Sequence, residues 1–188
     1  INNNSISVPA IRGKMGGKRY YMFSIEPKYL LQIGFVSHRT RANSFDVPTY
    51  QRLIVPARIK ALNQFLDDEK GYFPNSVILN FNLEKHKIKW ETGVKHKYSS
   101  DSENGILHIP NVYALAYIID GQHRIYGYAD SVYRDKNTIP VVAFQNLESD
   151  EQLKMFLDIN ENQKAISKGL RLTLQEDVNW DSPILENK

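Results

Sequence analysis

With 188 residues, 41% hydrophobic and 24% charged, the chain can bury a core without cross-links and has the composition of an ordinary globular protein. It contains no cysteine, which excludes disulfides and thiol catalysis and fits a cytoplasmic setting, and no run reaches the roughly 18–20 apolar residues of a membrane span. The net charge of +3 is uneven: residues 1–60 hold ten Lys/Arg against Glu26 and Asp46, a balance of +8, leaving −5 over residues 61–188.

The opening INNNSISVPAIRG lacks a basic-then-apolar export pattern and an initiating Met, as expected of a trimmed chain. PAIRGKMGGKRYYMFSI is expected to form two strands joined by a glycine turn. Gly16-Gly17 permits positive φ, and Tyr20, Tyr21, Phe23 and Ile25 suit a strand. Arg12, Lys14, Lys18 and Arg19 make the hairpin basic, and Arg39 and Arg41 follow. Such a stretch suits a polyanion; the plain alternative is a solvated surface with chance clustering.

YQRLIVPARIKALNQFLDD has helical spacing, with Ile59, Leu62 and Phe65/Leu66 on one side and Pro56 in the first turn. SVILNFNL, HKIKWETG, ILHIP and YALAYII read as strands, and a polar loop is expected near residues 95–104. After Asp120 the pattern turns helical, placing Ile125, Tyr128/Ala129 and Val132 on one face. IPVVAF reads as a buried strand. Ser149-x-x-Gln152 reads as a capping box opening a helix with Leu153, Phe156 and Leu157 inside, and a last helix is expected from about Lys168. Strands and helices alternating with antiparallel hairpins give an α+β (mixed α/β) fold in a single domain over residues 1–188.

Three clusters could carry chemistry. Asp120, Gly121, Gln122, His123 and Arg124 end an apolar run and begin a helix. Helix starts bind anions through unpaired N–H groups, and an arginine there can grip a phosphate with two parallel bonds. A capped helix start with an Asp–Arg pair is the structural alternative. Gln51 and Arg52 precede the helix of residues 56–67, and Asn160, Gln163, Lys164 and Ser167 follow an amphipathic segment. Taken in isolation, the first reads better as a solvated helix lead-in and the second as a hydrophilic loop between helices. The five histidines are scattered with no metal-ligand spacing, and no Walker A loop, G-x-G-x-x-G or G-x-S-x-G is present.

The run Asp120–Arg124, followed by Gly127, resembles the motif of DGQHR-domain proteins, which are similar in turn to the ParB/sulfiredoxin-like superfamily. Residues 8–25 resemble the opening of DndB proteins, and MFLDINENQKAIS (155–167) resembles a later DndB segment with Phe156, Ile159 and Asn160 at its core. The resemblance implies a ParB/sulfiredoxin-like core with an added N-terminal β-hairpin. It also implies a DNA-binding repressor or accessory factor of a bacterial DNA phosphorothioation system, acting with DNA and with other proteins of its modification cluster, and a possible homo-oligomer.

A second implication is a nucleotide-binding switch or nucleoside triphosphatase serving a DNA-modification or defence system. Gly121, His123 and Arg124 would hold the phosphates of ATP or CTP, Gln51 and Arg52 would close the site, and Asp120 or Asn160 would help place Mg²⁺. Sulfiredoxin has a reactive cysteine where this chain has Gln122, so reductase chemistry is not carried over. DndB proteins are usually longer, so a helical C-terminal part is expected beyond residue 188.

Overall fold

The computed structural model describes residues 5–36, 54–94 and 101–162, with side chains described as far as residue 160. Contacts divide the chain into two compact units, Ile1–Phe156 and Leu157–Lys188. The first holds every strand among the described residues.

Alternation of apolar and polar residues makes the first two strands. β1 (Ser5–Met15) buries Ile6, Val8 and Ala10 and exposes the residues between them, and β2 (Lys18–Ile25) buries Tyr21, Phe23 and Ile25. Gly16 and Gly17, at φ +56° and +77°, close the two-residue turn that the sequence predicts. Lys14 pairs with Arg19 and Arg12 with Tyr21 across the hairpin. Next come α1 (Pro27–Ile33) and the short β3 (Gly34–Phe35), then α2 (Pro56–Asp67). Ile59, Leu62 and Phe65 of α2 are half-buried and Leu66 is fully buried, as the helical spacing requires.

β4 (Val77–Phe81), β5 (Lys89–Thr92), β6 (Glu103–Pro110), β7 (Ala116–Asp120) and β8 (Ile139–Gln145) complete one eight-stranded sheet. Its order is β3-β7-β4-β8-β2-β1-β6-β5. The β3–β7 and β4–β8 pairs are parallel and the others antiparallel. With α3 (Gln122–Gly127) and α4 (Ser149–Asn162), this is the mixed α+β class expected from the sequence.

One face of the sheet packs Val77, Leu79, Phe81, Ile118, Val141 and their neighbours against Leu30 and Ile33 of α1, Leu66 of α2 and Ile125 of α3. On the other face, Met155 and Phe156 of α4 pack with Tyr20, Tyr117, Ile119, Phe144 and Leu147. Ser7, His108 and Glu91 form a hydrogen-bonded row across β1, β6 and β5, at 2.8 Å and 3.2 Å, which fastens the edge strand to the sheet. Among the described residues no helix is long and apolar enough to cross a membrane.

Two local expectations are corrected. α3 ends at Gly127 instead of running to Val132, which is 62% exposed. Ser131 accounts for the early stop: its hydroxyl donates to Asp67 at 2.5 Å and accepts from the Tyr133 amide at 3.1 Å, a local side-chain competitor to helical pairing. Ser149-x-x-Gln152 does not form a capping box: the helix is capped one residue earlier, at Glu148, by the Glu151 side chain, while the Glu151 amide donates to Asp150 Oδ1 at 2.9 Å. The Glu148 amide donates to the Glu151 carboxylate at 3.0 Å, and the Gln152 amide donates to the Glu148 carbonyl.

Candidate functional site

The DGQHR run forms the elbow between β7 and α3. β7 is an interior strand whose residues Ala116 to Ile119 are all buried. The chain leaves it through Gly121 at φ +99°, a left-handed conformation natural to glycine. A single turn of α3 then carries Arg124 back over Asp120, as positions i and i+4 require. Arg124 Nη2 donates to Asp120 Oδ2 at 2.7 Å and to the Ser76 carbonyl at 3.3 Å, while Nη1 donates to the Asn75 carbonyl. One guanidinium therefore ties the end of β7 and the start of α3 to the segment entering β4.

Gln122 and His123 are only 5% and 9% exposed. Gly127 allows α2 to approach: a Cβ there would lie 2.9 Å from Cβ of Leu62, and Asn63 Nδ2 donates to the Gly127 carbonyl at 3.4 Å. At six residues α3 supplies little macrodipole, and the cation expected to meet an anion is engaged within the fold.

Tyr126, on the outer side of the same turn, has its phenol pushed above the usual tyrosine range by burial and then by the neighbouring Tyr113. The fold favours the neutral phenol, so this contribution to stability is complete below the ordinary tyrosine range and is lost as pH rises through the higher folded value. In a spectrophotometric titration Tyr126 should ionise after the exposed tyrosines, and Tyr126→Phe should remove that late step. The variant should also lose less stability than the wild type under alkaline conditions.

Asn160 lies half-buried on α4, in the second compact unit. Arg39, Arg41, Gln51, Arg52, Gln163, Lys164 and Ser167 lie outside the described residues. Among the described residues no three His, Asp or Glu side chains converge as metal ligands would.

The hairpin end gathers the other predicted residues and sorts them by face. Lys18, opposite Met15, forms an ion pair with Glu151 in the first turn of α4 at 2.5 Å, and this contact holds the Glu151 carboxyl below its usual range. Lys14 and Arg19 face each other on the opposite side, are both exposed, and make no ion pair among the described residues. Two residues down the strand, Arg12 pairs with Glu103 of β6 at 2.5 Å and stacks 4.8 Å over the ring of Trp90 from β5.

Arg12, Lys14, Arg19 and Glu103 border a cleft of about 520 Å³, whose rim includes Tyr20, Asp101 and Ser102. Sequence reasoning missed Glu103 and Trp90 as members of this group. They lie 91 and 78 positions from Arg12, and only the β1–β6–β5 register brings them together.

A mixed eight-stranded sheet, a glycine elbow locked by arginine and a basic hairpin beside a polar cleft define an α+β protein with a cationic hairpin tip. The chain belongs to the DndB family: the family model described as DNA-sulfur modification-associated matches residues 8–179. That span includes the hairpin, the elbow and α4. No curated protein and no solved structure matches the chain. Family membership ties the protein to DNA sulfur modification.

Proposed function

We propose that the protein is a DNA-binding regulator of a bacterial phosphorothioation system and that the β1–β2 hairpin is its main DNA contact. The observation that carries this reading is the exposed Lys14–Arg19 pair at the hairpin end, with no acidic partner among the described residues. Only the hairpin tip, residues 13–19, extends past the neighbouring strands β6 and β8, and its paired cations can meet backbone phosphates. Phosphate contacts set position and affinity but carry no sequence information directly, so the hairpin acts as an anchor. The charge balance of +8 over residues 1–60 adds long-range attraction toward the polyanion.

The test is fluorescence anisotropy with a labelled duplex and the full chain, titrated at low and moderate salt. Replacing both Lys14 and Arg19 by alanine should weaken binding at least about tenfold at low salt. It should also flatten the dependence of log K on log salt by about two, one for each lost phosphate contact. Wild-type protein that fails to bind DNA at low salt overturns the reading. Unchanged affinity and slope in the double variant would move the contact off the hairpin.

A further inference from the structure

The hairpin cleft contains a third cation that the fold has already matched with an anion. Arg12 lies on the same side of β1 as Lys14, and its register partner on β6 is Glu103. Their ion pair at 2.5 Å is asymmetric in exposure: the Arg12 side chain is 20% exposed and that of Glu103 is 49% exposed. Both residues line the same cleft as Lys14 and Arg19.

The cation is held independently of Glu103. Its guanidinium rests on the Trp90 ring, and that ring lies close along β6 because residue 105 is glycine. A Cβ at Gly105 would come within 2.5 Å of Trp90 Cζ2. Tyr21 supports the indole from the side, with ring centroids 5.8 Å apart. The Trp90 ring thus sits beneath the guanidinium, while the carboxylate that meets it stands half in solvent.

We propose that Arg12 is a third phosphate-binding residue of the hairpin, and that Glu103 occupies its guanidinium until a nucleic-acid phosphodiester enters the cleft. This rests on the reading of the hairpin as a DNA contact and adds a built-in competitor to it. The exchange is even in charge and geometry: a carboxylate and a phosphodiester each carry one negative charge and present two oxygens to a guanidinium fork. A half-exposed ion pair is weakly held, so Glu103 can turn into water while Trp90 keeps Arg12 in place. Free protein then shows DNA two open cations, and bound protein uses three.

The experiment compares wild type, Glu103→Gln and the double variant Arg12→Ala/Glu103→Gln. All are full chains with matched melting curves, assayed by anisotropy on one short duplex at about 50 mM and about 200 mM salt. Glu103→Gln should tighten binding about three- to tenfold at the lower salt and leave the salt slope unchanged, because Arg12 meets a phosphate in both complexes. Removing Arg12 in the same background should abolish the gain and flatten the slope by about one. Glu103→Ala reads the same way if the glutamine variant folds poorly.

Wild-type affinity in Glu103→Gln, or a gain that survives loss of Arg12, overturns the masking proposal while leaving the hairpin reading intact. A wild type that stays silent at low salt overturns the hairpin reading and with it this proposal, even where Glu103→Gln binds. Failure of both to bind at low salt overturns both ideas.

Discussion

Replacing Arg124 by alanine should lower folding stability by about 3 kcal/mol, and lysine should recover only part of the loss. The side chain donates to the Asp120 carboxylate and to the carbonyls of Asn75 and Ser76, with the Arg124 and Asp120 side chains 16% and 26% exposed. Alanine leaves three oxygen acceptors facing one another without a cation, with Asn75 exposed and Ser76 and Asp120 half-buried. That places the loss at the lower end of the range for broken buried ion pairs. Lysine restores the charge but lacks the planar fork that reaches Asp120 and both carbonyls together. Urea denaturation followed by circular dichroism measures the effect, and a loss below about 1 kcal/mol would mean that water replaces the guanidinium. The same variant separates two roles for the elbow. A purely structural Arg124 leaves DNA and nucleotide affinity intact in the folded fraction, whereas a ligand-binding Arg124 loses affinity as well.

How far the sequence reveals this architecture depends on the range of the interaction that makes each part. The hairpin is legible because its cause is local: two glycines set the turn, and alternation sets the strands. The same holds for α2, where Pro56 and the spacing of Ile59, Leu62 and Leu66 suffice. The seven-residue α1 is too short to establish a period, and it owes its burial to Leu30 and Ile33 meeting the sheet. The length of α3 is misread because apolar spacing continues to Val132 while Ser131 diverts the backbone toward Asp67, 64 positions away.

The elbow follows the same rule. The Asp120–Arg124 pair is readable at i, i+4, but the other acceptors of Arg124 are main-chain carbonyls, which any residue type supplies. At the hairpin the basic residues are visible in the sequence. Their division into Lys18 with an acidic partner, Arg12 with another, and the open pair Lys14 and Arg19 depends on strand register.

Gly121→Ala should cost about 3 kcal/mol through two separable effects. The first lies in the backbone: φ is +99°, where an L-residue with a Cβ is strained by about 1–2 kcal/mol. The second is steric. The added Cβ would stand 2.9 Å from Val77 Cγ2 and 3.1 Å from Arg124 Nη2, so it presses on the first residue of β4 and on the guanidinium that locks the elbow. Overpacking of this kind costs about 1–3 kcal/mol. A double-mutant cycle with Val77→Ala distinguishes the two effects, since trimming Val77 makes room for the new methyl without altering φ. The pair should be less destabilised than the sum of the single variants by about 1 kcal/mol, and the remainder should persist as the backbone part. Strict additivity would place the whole effect in the backbone and the Arg124 contact. Full rescue would show that the left-handed turn tolerates alanine and that residue 121 is glycine to make room for Val77 and Arg124.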